Sequence, residues 1–353
     1  MPTIQQELEE MLLNVLKLDA SDLHLSVGYK PTVRIDGVLL SLSDFSILTA
    51  EHSRDLAYQL LGERREVFLA KKEIDFSYDF LGKARFRVNI FFEKGFLSSA
   101  LRLIPAKIRT IEELNLPLVL HEIPKLKQGF VLLTGPSGHG KSTTLASLIN
   151  EINSSRTEHI ISIEDPIEYL FTGDKSIINQ REVINDTKNF HSALGSIFRE
   201  DPNVIMIGEM RDAETIAAAL TAAETAHLVF SSLHTNSASQ TIDRIIDVFP
   251  SNQQNQIRLQ LANTISAVIS QRLLPRIRGG RIPATEIMFA NNAVSNLIRE
   301  NKAYQIDLVI ETSLEYGMIS LNRSLAELVR RGEIKPETAL AYALNPKEFR
   351  TNL

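Results

Sequence analysis

Cysteine is absent from all 353 residues. Its absence excludes a disulfide framework and any thiolate metal centre. Long apolar runs are missing too. No stretch reaches the roughly 18 uninterrupted apolar residues of a membrane-crossing helix. The opening Met1-Pro2-Thr3-Ile4-Gln5-Gln6-Glu7 has neither a basic region nor an apolar core. A transmembrane segment and a signal peptide are therefore not expected, and a cytoplasmic location is. Basic excess is lacking as well: 38 Lys and Arg stand against 43 Asp and Glu, a formal net charge of −5. A dedicated nucleic-acid binder usually carries the opposite balance, so no nucleic-acid partner is expected. What remains is ordinary for a globular protein, with 44% hydrophobic residues, enough for a full core.

At this length two domains are expected. Ile4, Leu8, Met11, Leu12, Val15 and Leu16 form a helical stripe, and Asp22 to Leu25 and Pro31 to Leu39 alternate with period two around Asp36-Gly37, a hairpin signal. A helix is expected over 50–70. Further strands are expected at 74–78, 84–90 and 97–104. The result is a small α+β domain over 1–104. The proline- and charge-rich stretch 105–124 reads as a linker. From 125 to 353 the pattern becomes strands alternating with helices, which predicts a mostly parallel, doubly wound α/β sheet. Beyond about residue 250 the chain reads as helical, with stripes over 257–274 and 322–345. Internal repeats are absent.

Gly135-Pro136-Ser137-Gly138-His139-Gly140-Lys141-Ser142-Thr143 fits the phosphate-binding loop G-x-x-x-x-G-K-[ST]. It follows the apolar run Phe130-Val131-Leu132-Leu133 and precedes the helix-like Thr144-Leu145-Ala146-Ser147-Leu148-Ile149, the strand–loop–helix context the motif requires. Glycines let successive backbone N–H groups turn inward around phosphates, and the helix N-terminus adds positive dipole. Lys141 is expected on the β- and γ-phosphates of ATP, and Ser142 on Mg²⁺. The side chain of His139 is assigned no role.

Three further apolar runs end on suggestive residues: 159–163 on Glu164-Asp165, 204–208 on Glu209, and 227–233 on His234. Ligands of open α/β sheets sit beyond the carboxyl ends of the strands, so all four runs aim at one nucleotide site. Glu209 takes the place of the Mg²⁺-organising carboxylate, acting through metal-bound water. Glu164 is assigned as general base for the attacking water. Asp165 and Glu168 are equally compatible with turn or salt-bridge roles. His234 is placed to donate to the γ-phosphate and sense its loss. His227, seven positions away at the other end of a strand, is too distant to share a metal with it. Arginines to meet the γ-phosphate are sought among Arg199, Arg211, Arg244, Arg85, Arg87 and Arg102.

With these pieces placed, the chain resembles the secretion-type ATPases, and most closely the type IV pilus retraction (twitching motility, PilT-like) ATPases. The resemblance is carried by Gly135 to Thr144, Ile163 to Tyr169 (the Asp box), Gln180-Arg181-Glu182 and Arg199-Glu200-Asp201-Pro202. It continues through Gly208 to Asp212 (Walker B), Leu220 to Thr235 (the His box), Ala20 to Leu25 and Ala84 to Asn89. It implies a PAS-like N-terminal domain, a flexible linker, a RecA-like ATPase domain and a ring hexamer, with arginines of an adjoining domain or subunit completing the site. It further implies peripheral docking at the inner face of the cytoplasmic membrane on a pilus platform protein, and indirect action on pilin.

Assembly motors of this superfamily, the alternative reading, carry an additional N-terminal domain and a tetracysteine module, which a short chain without cysteine does not match. Retraction motors carry an Ala-Ile-Arg-Asn-Leu-Ile-Arg-Glu motif. Ala293-Val294-Ser295-Asn296-Leu297-Ile298-Arg299-Glu300 matches it at six of eight positions, with Ser295 in place of an arginine. Gly195 likewise stands where the family often has arginine. Leu297 and Ile298, flanked by Arg299 and Glu300, are expected to form a surface patch for a protein partner. A nucleic-acid motor and a non-hydrolysing ATP-binding protein are the other readings. The first is disfavoured by charge, the second by the intact set Lys141, Glu164 and Glu209.

Overall fold

The structure is a computed structural model in which residues 3–35, 37–104, 107–344, 346 and 349 are described. It divides into two compact units, Met1–Lys107 with Asp165–Leu170, and Ile108–Glu164 with Phe171–Leu353.

The smaller unit opens with α1 (Ile4–Lys17), closed by a capping box in which Thr3 Oγ1 accepts from Gln6 N and Gln6 Oε1 accepts from Thr3 N, a device worth about 1 kcal/mol. Its six strands are β1 (Asp22–Leu25), β2 (Thr32–Ile35), β3 (Val38–Ser41), β4 (Glu73–Phe80), β5 (Ala84–Glu93) and β6 (Phe96–Ile104). They form one antiparallel sheet in the order β3-β2-β1-β6-β5-β4. The β2–β3 hairpin turns through Gly37; its expected partner Asp36 lies outside the described residues. The helix expected over 50–70 is divided into α2 (Ala50–Leu61) and α3 (Arg65–Lys71), because Gly62 leaves the helical region at φ 52°. Leu8, Met11, Leu12 and Val15 of α1 and Leu56, Leu60 and Leu61 of α2 join Phe86, Val88 and Ile90 of β5 in one core.

The larger unit holds β7 (Gly129–Thr134), α4 (Lys141–Ser155), β8 (His159–Glu164), β9 (Ile177–Glu182), α5 (Phe190–Ile197), β10 (Val204–Ile207), α6 (Ala213–Glu224) and β11 (Leu228–Leu233). Next come α7 (Ala238–Asp247), α8 (Ser251–Thr264), β12 (Ile265–Pro275), β13 (Arg281–Phe289), α9 (Asn292–Arg299), α10 (Ile306–Thr312), α11 (Leu321–Arg330) and α12 (Pro336–Tyr342). The sheet order is β13-β12-β7-β11-β10-β8-β9, parallel except for β13. Both faces are covered. Phe130, Leu132, Ile161, Ile205 and Val229 pack with α5 to α10, while Val131, Leu133, Ile160, Met206 and Phe230 pack with α4.

Three further expectations change, the first being that the helical stripe over 322–345 is broken between α11 and α12, where Gly332 takes φ 67° and Pro336 starts the next helix. The segment read as a linker does not stand free from residue 108 onward: Ile111, Leu116, Leu120 and Ile123 are buried with α4 and β7 in the larger unit. Pro105 lies outside the described residues. The stripe over 257–274 is not one helix. It changes to strand at Ile265, and the β12–β13 hairpin extends the sheet on the β7 side.

Candidate active site

The register of the central strands brings four chain segments to one edge. Thr134 lies opposite Leu233, Ser231 opposite Ile207, and Ile207 opposite Ile163. The phosphate loop, Glu164, Glu209 and His234 follow directly at those ends.

The loop is shaped by close backbone approach. A Cβ on Gly135, at φ 137°, would come within 2.4 Å of the Gln271 carbonyl oxygen. One on Gly140, at φ 83°, would come within 2.8 Å of Gln271 Nε2. Only glycine fits both positions. No side chain caps α4, whereas α5, α6 and α7 are closed by Asn189, Asp212 and Ser237. No side chain therefore competes with an anion for the N-terminus of α4. Lys141, 8% exposed, donates from Nζ to the carbonyls of Gly135 (2.8 Å) and Pro136 (3.0 Å), and the same Nζ lies 3.4 Å from His234 Nδ1. Ser142 is exposed on the first turn.

Glu209 is half-buried two residues beyond β10. Its carboxylate pairs with Arg211 and lies 3.6 Å from His234 Nε2. Lys141, His234, Glu209 and Arg211 therefore form one chain of contacts. Glu164 is 5% exposed, and its Oε1 accepts from Ser162 Oγ (2.7 Å) and Gln180 Nε2 (3.1 Å). His227, at the far end of β11, contacts Ala222 O and Thr225 and packs edge-on to Phe198, a structural role.

Of the arginines, Arg199 and Arg244 are exposed. Arg87 and Arg102 are cross-strand partners in the smaller unit, and each has an acid there: Arg87 pairs with Asp75 (2.6 Å) and Glu168 (3.1 Å), Arg102 with Asp22 (2.9 Å). Arg85 shares their face of β5. These acids give Arg87 and Arg102 an explanation inside their own unit.

His139 does have a side-chain role. Its Nδ1 accepts from the Leu273 N–H at 2.9 Å, so that nitrogen carries no proton. Burial first, then the positive charges of Arg272, Lys141 and Arg281, hold its pKa below the ordinary histidine range. Sequence reading also missed Gln271, whose Nε2 donates to His139 O (2.7 Å) and whose Oε1 accepts from Thr144 Oγ1 (2.8 Å). Arg272 reaches Asn236 just past His234, and Glu286 reaches Ala238 N. Gln271, Arg272 and Glu286 sit on β12 or β13, in the region whose pattern reads as helical.

The surface patch expected from Leu297 and Ile298 is not present. Ile298 is 1% exposed and Leu297 packs on the core; of the motif, Ala293, Asn296, Arg299 and Glu300 are exposed. Ser295 Oγ donates to the Ala262 carbonyl (2.9 Å), and Gly195 faces open space.

Residues 106–303 match the signature of the type II/IV secretion system proteins. The chain is 44% identical over 346 residues to the type IV pilus retraction ATPase PilT of Pseudomonas aeruginosa, covering 97% of this chain and 100% of that protein. It is 45% identical to a twitching motility protein of Neisseria gonorrhoeae, covering 90% and 86%. A crystal structure of the pilus retraction motor PilT with bound ADP superposes with a TM-score of 0.90 at 46% identity, covering 97% of this chain and 98% of that one.

Proposed function

The chain belongs to the type II/IV secretion system proteins, among the PilT-like retraction ATPases, and on that premise we infer that it hydrolyses ATP to power withdrawal of a type IV pilus. One observation carries the chemistry: Lys141, His234 and Glu209 touch in series at the carboxyl edge of the sheet, beside an uncapped helix N-terminus.

Each side chain has work that phosphoryl transfer requires, namely positioning and charge stabilisation. The N-terminus of α4 and the glycine-shaped loop receive the phosphates. Lys141 exchanges its two carbonyl partners for β- and γ-oxygens. Glu164 accepts the proton of the attacking water, with Ser162 and Gln180 orienting its carboxylate. His234 meets the γ-phosphate and links its presence to Glu209. The exposed Ser142 hydroxyl and the half-buried Glu209 carboxylate are oxygen donors of the kind Mg²⁺ takes, the latter through water. Mg²⁺, when bound, neutralises charge building on the phosphates.

The active form is a homo-hexamer in which arginines of an adjoining domain or subunit, with Arg85, Arg102, Arg199 and Arg211 as candidates, complete the site. It works in the cytoplasm against a platform protein at the inner face of the membrane and so acts indirectly on pilin. The supporting facts are the family membership and, among the described residues, the absence of any helix long and apolar enough to cross a membrane. Deleting the gene in its host, with pilus number and surface motility scored together, tests the direction of work. Cells that keep their pili but stop moving are expected. Cells without pili would identify an assembly motor instead.

A further inference from the structure

β12 passes beside the phosphate loop and presents consecutive residues to opposite faces of the sheet. On the α4 face, Gln271 is 3% exposed and joined at both ends of its amide, to His139 O and Thr144 Oγ1. On the α7 face, Arg272 is 7% exposed and donates to Asn236 Oδ1 at 2.8 Å, with Asn236 O at 3.4 Å. Across the hairpin Glu286 lies opposite Ser270, and its Oε1 accepts from Ala238 N at 2.7 Å, the first N–H of α7. Asn236 and Ala238 lie two and four residues after His234. The loop carrying His234 is thereby tied to the β12–β13 hairpin, whose Gln271 grips the phosphate loop.

We propose that Arg272, acting through Asn236 with Gln271 and Glu286 as its anchors, is a positioning residue that fixes the His234 loop relative to the phosphate loop and so sets the rate of ATP turnover. None of these side chains needs to touch ATP. The buried guanidinium is costly to place without partners, and its planar fork fixes a direction as well as a distance. A loop that must hold His234 within hydrogen-bond reach of a phosphate benefits from that directionality.

The inference rests on the role given to His234, and a double-variant cycle separates the two. Steady-state phosphate release and ADP binding are measured for wild type, R272A, H234A and the R272A/H234A pair. R272A is expected to lower kcat roughly tenfold, the equivalent of one charge-assisted hydrogen bond, while KM and the ADP Kd stay within about twofold. R272K is expected to recover part of the loss, and the pair to be no slower than H234A alone. Losses that multiply in the pair, or KM and Kd rising in step with the fall in kcat, would overturn the proposal while leaving His234 in place. H234A turning over at the wild-type rate would remove the role of His234 itself. Should R272A fail to fold, N236A takes its place in the cycle, since it deletes only the acceptor on the loop and is held to the same outcomes.

Discussion

Lys141 and His234, 93 residues apart in the chain, face each other with Nζ 3.4 Å from Nδ1. An ammonium has protons and no lone pair, so the ring nitrogen facing it must be the acceptor, which leaves the ring proton on Nε2, directed toward Glu209. The lysine proposed to bind phosphates and the histidine proposed to sense them are therefore in direct contact.

Lys141→Ala should reduce ATP hydrolysis by about 10²–10³-fold, the loss expected when one preorganised cationic donor is removed. Its thermal transition should stay within a few degrees of wild type. Phosphate release near the wild-type rate would refute the placement of the site.

Glu164→Gln should bind ATP normally but turn over about 10²–10⁴-fold more slowly, because an amide cannot take the proton of water. Nucleotide binding and phosphate release are measured in parallel. If Glu209→Gln alone stops turnover, the two carboxylates have been assigned in reverse.

Arg102→Ala should change stability by under about 1 kcal/mol, since the arginine itself is largely exposed and the buried Asp22 keeps Arg34 at 3.8 Å. If the arginine acts on a neighbouring subunit's site, mixtures of Arg102→Ala and Lys141→Ala protein should regain part of the activity each lacks alone. Absence of recovery at every mixing ratio would count against shared sites.

Arg299→Ala should leave ATP hydrolysis largely intact and abolish twitching, because Arg299 is exposed and far along the chain from the nucleotide strands. Ile298→Ala should instead destabilise the fold by about 2–5 kcal/mol, as expected for a fully buried aliphatic side chain. Equal falls of hydrolysis and motility in Arg299→Ala would make α9 part of the structural frame only.

Glu286 gives the pH test. Burial, and then the nearby Asp307 charge, push its carboxyl up to about 7 from 4.5, against the opposing pull of Ala238 N–H, Arg272 and Ser270. Between those values the unfolded chain releases a proton that the folded chain keeps, so folded stability falls as pH rises through that window. Above it the cost is complete, about 3 kcal/mol at 1.36 per unit. Glu286→Gln, neutral at every pH, should therefore melt higher relative to wild type at pH 8 than at pH 5. A gap that does not change with pH would show that the carboxyl ionises freely.

The nucleotide strands were legible because each is a short apolar run ending on a chemically distinct residue, and parallel strands covered on both faces read that way. The same property hid β12. Ile265-Ser266-Ala267-Val268-Ile269 follows α8 with no proline or glycine between them, so the apolar pattern passes through Thr264 without a signal that the backbone has changed. Gln271, Arg272 and Glu286 were lost with it, since a buried polar residue looks like surface until its strand is known. The α9 patch failed for a related reason. Val294 and Ile298 are one helical turn apart and define the inward stripe, so Ile298 could not also face a partner.

Leu273 lies beyond the end of β7, whose last residue pairs with Ser270, and its N–H goes to the His139 ring. A side chain of the phosphate loop thus takes the place of a missing neighbouring strand. That single amide is consequently a built-in gauge of the loop. Its hydrogen–deuterium exchange should be fast whenever the loop opens and slow when nucleotide holds it shut, giving a spectroscopic readout of occupancy that needs neither turnover nor pilus.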